Sequence, residues 1–260
     1  MTLGLCLRCD QTKNLVEAHV IPKCLYTFGE KPLVLASKFK ERLSLSQMGV
    51  YDRELLCEKC DNDFGKYDGV AASKLKLYPV RTQFLRDENG FILRRGNGRP
   101  LAYVVPDPGV SELQCFFASL IWKCCLTSRE EMSLKGAGQF FEKAEHLLRN
   151  PETGTYFGVF GNRIQERQLN CAVARPTVTD LELGKMIQFH MSGFIASIFL
   201  DPIMAVESEL QLISSDRWIV GLTSFEETSF GDSIQEMRSK LAAAAGLFRG
   251  HSSVRRRTGT

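Results

Sequence analysis

Four cysteines in two C-x-x-C pairs have the spacing that most clearly indicates chemistry in this chain. The pairs are Cys6–Cys9 and Cys57–Cys60. Two residues between cysteines let one tight turn aim both sulfurs at a single ion, and two such turns complete a tetrahedral shell of four thiolates. Because a closed shell leaves no open coordination position, the spacing predicts a structural Zn²⁺ site. The alternative, redox-active pairs or free thiols, is disfavoured by two pairs in one module.

The other five of the nine cysteines have no partner at ligand spacing. The start of the chain lacks a basic segment followed by a long apolar one, so we expect no secretory signal and a cytoplasmic location. In a reducing compartment, cysteines favour metal binding and burial over disulfides. We therefore expect the remaining five in the protein core: Cys24, Cys115, Cys124, Cys125 and Cys171.

The residues beside the two pairs form a second pattern. Glu17-Ala18-His19-Val20-Ile21-Pro22 follows the first pair, and Asp61-Asn62-Asp63 follows the second, which Leu55-Leu56 precedes. This order resembles the zinc-knuckle branch of the HNH endonuclease family, also called ββα-metal nucleases. The resemblance covers about residues 4–75. It implies a zinc-stabilised ββα module that cleaves phosphodiester bonds with one divalent metal ion.

The resemblance assigns a role to each matching residue. His19 matches the histidine that activates water, a task that suits an imidazole at neutral pH. Asp61 takes the last metal-ligand position, where a carboxylate can bind Mg²⁺ or Mn²⁺. Asp52 stands where a central Asn of the family orients the base. Ala18 occupies the first ligand position, and alanine cannot bind metal.

A longer segment, reaching Asp68, also resembles a poorly characterised bacterial and phage group. Its members have a small residue before the histidine and acidic residues in the places of Asp61 and Asp68, and they continue into an aromatic helix like Phe116-Phe117-Ala118-Ser119-Leu120-Ile121-Trp122-Lys123. This resemblance makes Asp68 a second candidate for the divalent site and implies a role in phage–host conflict. Residues seven apart on a helix share a face but lie ~10 Å apart along its axis, so both can line one groove without chelating one ion directly.

Each of these residues also has a purely structural interpretation. His19 could pack between the knuckles or donate to a backbone carbonyl. Asp61 could be a stabilising charge at a helix N-terminus, and Asp68 a solvated surface residue. The aromatic residues around Trp122 are typical of a core helix.

Charge is unevenly distributed along the chain. Residues 1–100 contain 17 Lys and Arg against 12 Asp and Glu, whereas residues 101–248 contain 12 against 18. A basic segment permits contact with nucleic acid, although a solvated surface explains it equally well. Candidates for phosphate contact are Lys23, Lys66 and Arg81, and the surface could extend over Arg86, Arg94, Arg95 and Arg99.

The elements that must position these residues follow from periodicity and turn signals. We expect a short strand over 16–21, a loop over 28–50 and a helix after Cys60. Asn89-Gly90 predicts a hairpin and Gly96-Asn97-Gly98 another turn. Further predicted helices span 111–128, 138–149 and 233–248, and predicted strands span 156–160, 170–174, 185–190 and 194–200.

The sequence thus predicts an α+β protein with no membrane-spanning segment. An HNH-like zinc module would span 1–78, an α+β domain of unknown task 79–250, and a basic disordered tail 251–260. We expect a nuclease acting on DNA, with a protein partner able to bind residues 79–250. The rival hypotheses are a catalytically degenerate zinc module that binds nucleic acid or protein, and a scaffold in which zinc only stabilises a loop.

Overall fold

The computed structural model describes residues 2–25, 49–75, 79–165, 173–191 and 193–224, and gives the backbone alone for 36–38 and 42–44. Within this part of the chain the fold is mixed α+β, as predicted, and it contains three α-helices and a six-stranded sheet. Met1–Leu222 form one compact unit and Thr223–Thr260 a second. The predicted helix over 233–248, the tail and most of the predicted loop lie outside the described residues, and the predicted domain boundaries stay predictions.

The N-terminal part is built from short antiparallel strand pairs. Strands β1 and β2 form a hairpin whose turn holds the first C-x-x-C pair. Asp10 closes this turn with a positive φ of 54°, a conformation that Asp tolerates better than most residues. The strands are β1 (Thr2–Cys6), β2 (Gln11–Leu15), β3 (Ala18–His19), β4 (Ala36–Lys38), β5 (Arg42–Ser44) and β6 (Tyr51–Asp52). β3 pairs with β6, and β4 with β5.

Helix α1 (Glu58–Leu75) begins inside the second C-x-x-C pair. Phe64, Ala71 and Leu75 are buried at helical spacing, as the sequence pattern predicts, and they turn one face of the helix to the core. Glu58 and Asp61 lie in the first turn, where negative charge interacts favourably with the helix dipole.

Helix α2 (Val110–Leu126) is the central element of the fold. Twelve of its seventeen residues are buried, because α1 and α3 (Gly138–Arg149) both pack against it. Trp122 of α2 lies against Phe64 of α1, with ring centroids 5.8 Å apart. In the described part of the chain no helix is both long and apolar enough to cross a membrane.

The six strands of the main sheet are ordered β7-β12-β8-β11-β10-β9. The turn between β10 and β11 passes through Gly193, which has a positive φ of 75°. Gln114 of α2 binds the segments that lead into the sheet, since its side chain donates to the Phe157 and Leu212 carbonyls at 2.9 and 2.8 Å. The strands are β7 (Ala102–Pro106), β8 (Gly158–Ile164), β9 (Val173–Leu181), β10 (Gly184–Met191), β11 (Phe194–Phe199) and β12 (Arg217–Thr223).

Two similar turns follow one another before β7. Gly90 and Gly98 each adopt a positive φ, of 82° and 78°. Arg86 Nη1 donates to the Gly90 carbonyl at 2.7 Å, and Arg94 Nη1 donates to the Gly98 carbonyl at 2.6 Å. The predicted hairpin and turn are therefore two copies of one arrangement, each closed by an arginine side chain.

Candidate functional site

The two C-x-x-C pairs come together as the sequence predicts. The sulfur atoms of Cys6, Cys9, Cys57 and Cys60 all lie within 4.8 Å of one another. Three of the cysteines are buried and Cys9 is half-buried. Four sulfurs at this spacing can bind a metal ion such as zinc.

Backbone hydrogen bonds hold the two pairs in this position. Leu7 N donates to the Leu55 carbonyl at 3.0 Å, and Val16 N donates to the Leu56 carbonyl at 3.0 Å. Cys57 N donates to Cys6 Sγ at 3.3 Å, so the second turn directly contacts a sulfur of the first. The β1–β2 hairpin is thereby fixed against the start of α1.

The pKa values of the thiols differ because their surroundings differ. Burial alone would raise the pKa of Cys6, but N–H groups of Cys57, Arg8 and Cys9 stabilise its thiolate and lower the pKa to about 7. Burial raises the pKa of Cys60, and the nearby sulfurs of Cys57 and Cys6 add to this. One thiolate therefore forms readily at neutral pH, and a bound cation would favour the others.

His19 lies on β3, which pairs with β6. Its register partner is Tyr51 of β6, and the two ring centroids are 6.4 Å apart. The side chain is half-buried. Val20 N donates to the Val50 carbonyl at 2.9 Å, which continues the pairing beyond the histidine. His19 is thus held on a paired strand rather than on a free loop.

Asp61 and Asp68 lie on α1, close enough to His19 to interact electrostatically. Burial raises the pKa of Asp61, whereas the charges of Lys123 and His19 lower it in part. Burial also raises the pKa of Asp68; Lys123 and His19 oppose this, and Asp61 adds to it. Asp68 Oδ1 is shielded from solvent and has no hydrogen-bond partner among the described residues. Charge interactions therefore connect three predicted site residues, His19, Asp61 and Asp68.

Lys123 is a site residue that sequence analysis missed. It comes from α2, is only 1% exposed, and donates from Nζ to the His19 carbonyl at 3.1 Å. Its ammonium also lies 5.7 Å from the centre of the Phe64 ring. The sequence does contain a signal, since Lys123 is the single charged residue in the apolar run Ile121-Trp122-Lys123-Cys124. A charge buried in such a run is retained only where it has partners.

Asp52 has partners other than His19. Its Oδ2 accepts hydrogen bonds from Thr127 Oγ1 at 2.6 Å and from Ser128 N at 2.8 Å, and its Oδ1 accepts one from Glu54 N at 2.8 Å. Directly opposed residues of a strand pair point to the same face, so Asp52 lies on the face of Ala18, and His19 on the other. The register thus does not bring Asp52 to the predicted base.

The donor groups around α1 suit a divalent cation only in part. Carboxylate oxygens are hard ligands, and an unpartnered oxygen such as Asp68 Oδ1 is available to one. Among the described residues, however, the four cysteines alone bring three or more ligand atoms within reach of one ion. In the described part of the chain, His19, Asp61 and Asp68 therefore do not form a three-ligand metal site.

Lys23, Lys66 and Arg81, the three main candidates for phosphate contact, are exposed, whereas Arg95 of the extended surface is half-buried. Lys23 lies in a short 3₁₀ turn, Lys66 on α1 and Arg81 in a second 3₁₀ turn. Lys66 Nζ lies 4.7 Å from the centre of the Tyr67 ring. Arg86 and Arg94 close their turns through Nη1 and remain exposed. These positions are accessible to a ligand, and their predicted role stays a prediction.

Comparison with protein-family profiles, with curated proteins and with solved structures finds no match to this chain. Its function is therefore inferred from its own residues.

Proposed function

We propose that this protein is a metal-dependent, HNH-like endonuclease that cleaves phosphodiester bonds in DNA. The observation that carries the proposal is the electrostatic interaction of His19 with Asp61 and Asp68, which lie on the helix that begins at the four-cysteine cluster. In this proposal the cluster holds a structural Zn²⁺ ion, whose four sulfur ligands leave no position for substrate. The reacting groups are the histidine and the carboxylates.

The order of elements around the cluster supports this assignment. Strand β3 carries His19 and pairs with β6, and α1 follows with both carboxylates. The family that the sequence resembles has the same order of elements: two paired strands, and then a helix that begins at the second C-x-x-C pair. Hydrogen bonds between the two C-x-x-C segments fix the β1–β2 hairpin against the start of α1. Elements that are distant in sequence are thereby held together without a flexible loop.

The proposed chemistry divides between the two sides of the site. His19 removes a proton from the attacking water, as a half-exposed imidazole can do near neutral pH. Asp61 would hold Mg²⁺ or Mn²⁺, with Asp68 interacting through water. When bound, the ion would stabilise the negative charge that develops on the scissile phosphate. Lys123 fixes the backbone of the histidine through its carbonyl.

A second candidate function is nucleic-acid or protein binding without cleavage. Ala18 favours it, because this residue replaces a metal ligand of the family and is fully buried opposite Asp52. Salt-sensitive DNA binding without nicking would support this candidate, since phosphate contacts release counterions. Failure to bind DNA even at low salt would favour a protein partner.

Nicking of supercoiled plasmid by the zinc-loaded protein, with Mg²⁺ or Mn²⁺, tests the proposal. We expect nicking by the wild type, and a loss of about 100-fold or more in rate for His19→Ala, because the general base is removed. His146→Ala is the matched control, since His146 is exposed on α3 and belongs to no part of the site. It should nick at the wild-type rate.

Two results would refute the nuclease assignment. One is equal nicking by the wild type and His19→Ala, which indicates a contaminating nuclease. The other is no nicking by any preparation with either metal ion.

A further inference from the structure

Residues 85–92 and 93–100 are two consecutive units with the same structure. The hydrogen bond from Leu93 N to the Leu85 carbonyl recurs from Leu101 N to the Leu93 carbonyl, and both bonds are 2.9 Å long. Every exposed residue of the first unit has an exposed counterpart in the second, and every half-buried residue has a half-buried one. The two units can therefore be compared position by position, as matched copies of one turn.

The units differ in charge although they share a structure. The first contains one arginine and two acidic residues, for a formal charge of −1, whereas the second contains three arginines and no acidic residue, for a formal charge of +3. Asp87 and Phe91 of the first unit are the counterparts of Arg95 and Arg99 in the second. Because the first unit forms the turn without an arginine at either position, the turn itself does not require Arg95 or Arg99.

The third arginine of the second unit, Arg94, is fixed by a hydrogen bond that leaves its charge in place. Its Nη1 donates to the Gly98 carbonyl at 2.6 Å, and a carbonyl has no net charge to neutralise the guanidinium. A guanidinium has five N–H donors and stays protonated in proteins, so one such bond leaves donors for a ligand. A side chain that is already fixed also loses less freedom when it binds. Arg94 is thus an exposed cation that is prepared for an anion.

The phosphate backbone of DNA fits three arginines in one turn. Like charges this close in the chain repel one another, and an anion that binds across them relieves the repulsion. A guanidinium binds phosphate oxygens in pairs. Duplex DNA carries one negative charge per about 1.7 Å of helix axis, so several neighbouring arginines can each contact a phosphate.

We propose that the second turn, residues 94–99, binds the phosphate backbone of duplex DNA, and that the first turn, residues 86–91, does not. The choice of DNA rests on the proposed function, since an acidic protein segment also carries negative charge. The contact positions DNA without reading its sequence, because phosphates are the same in every sequence. The turn supplies binding and takes no part in the chemistry proposed for His19.

The salt dependence of DNA binding, measured by fluorescence anisotropy of a labelled duplex, tests the inference. All measurements use the zinc-loaded full chain with His19→Ala and no added Mg²⁺ or Mn²⁺, so that the duplex is not cleaved. Each phosphate contact contributes about 0.9 to the slope of log affinity against log salt concentration. We expect Arg95→Gln with Arg99→Gln to reduce this slope by about 1.8, equally for duplexes of different sequence. Over an about fourfold rise in salt, the parent should then lose about 12-fold more affinity than the variant.

Two controls separate a located contact from a general effect of charge. Phe91→Gln changes the counterpart of Arg99 in the first turn, where the side chain is 71% exposed, and removes no charge. It should keep the parent's slope. Arg149→Gln with Lys185→Gln removes the same total charge from exposed residues on α3 and β10. This variant should also keep the parent's slope.

An unchanged slope in the folded Arg95→Gln, Arg99→Gln variant would overturn the inference, and so would an equal reduction in the charge-matched control. If the double variant does not fold, Arg99→Gln alone decides, with an expected reduction of about 0.9. A parent that binds poly-glutamate but no DNA at low salt would also overturn it and would indicate an acidic protein partner.

This inference and the nuclease assignment can fail separately. A wild type that never nicks DNA, combined with the expected loss of slope, would remove the nuclease assignment and leave the docking turn standing. Nicking that depends on His19, combined with an unchanged slope, would do the reverse.

Discussion

At the scale of single residues, Asp52 shows how contacts distinguish structural from catalytic roles. The resemblance assigned to Asp52 the role of orienting His19. Its carboxylate instead accepts hydrogen bonds from Thr127, Ser128 and Glu54. Burial alone would raise the pKa of Asp52, but these hydrogen bonds lower it below the ordinary value of 3.8. The residue therefore joins β6 to the end of α2.

We expect Asp52→Asn to lower the free energy of unfolding by about 1–3 kcal/mol at pH 7, because a buried, charge-assisted set of hydrogen bonds is lost. A carboxyl group with a lowered pKa stabilises the fold above its unfolded pKa and loses this effect as pH falls through its folded pKa. The difference from wild type should therefore shrink below about pH 4. Urea unfolding across this pH range measures it.

Asp63→Asn is the control for this prediction, because Asp63 is an exposed aspartate on α1, whereas Asp52 is buried on β6. It should unfold like the wild type. An Asp52→Asn variant with wild-type stability but no nicking activity would contradict this structural role. It would indicate that Asp52 orients His19.

At the scale of elements, local signals and distant partners account for what sequence analysis could and could not predict. The two C-x-x-C pairs and α3 could be predicted, because they depend on spacing and periodicity within a few residues. α3 was predicted with its observed bounds. Strands β7 and β12 were missed, because they pair with each other across more than a hundred residues of sequence. β1 was missed too, since its Leu3 and Leu5 are exposed and give no core-facing pattern.

The site divides in the same way. Cys6 and Cys57 could be found from motifs, because ligand spacing is local, whereas the role that the resemblance assigns to His19 stays a prediction. Lys123 could not, because its partner His19 lies 104 residues earlier in the chain. The faces of β3 and β6 were also beyond sequence analysis, since they depend on a register between strands more than thirty residues apart.

The four-cysteine cluster predicts a clear effect of losing one ligand. We expect Cys57→Ser to reduce bound zinc well below one ion per chain and to lower the melting temperature, because metal binding contributes directly to folding free energy. Metal analysis by mass spectrometry and thermal unfolding measure the two effects. Cys125→Ser, at a half-buried cysteine outside the cluster, should keep its zinc. Stoichiometric zinc in Cys57→Ser would contradict the assignment.

At the scale of the whole molecule, the zinc-knuckle segment and the residues that follow it share one core within Met1–Leu222. Arg8 Nη2 donates to the Leu148 carbonyl at 2.9 Å, and Arg163 Nη1 donates to the Leu75 carbonyl at 2.9 Å. Together with Lys123, these contacts connect the N-terminal elements to α2, α3 and the sheet. The candidate site is therefore assembled by the fold as a whole and not by the knuckles alone.

The most direct test of the central claim is chemical rescue of His19→Ala by added imidazole in the plasmid nicking assay. If His19 supplies the base, exogenous imidazole can occupy the space left by the side chain and accept the proton from water. We predict that imidazole raises the Mg²⁺-dependent nicking rate of His19→Ala in proportion to its concentration, while the wild type is unaffected. Wild-type nicking by His19→Ala without imidazole would contradict the account.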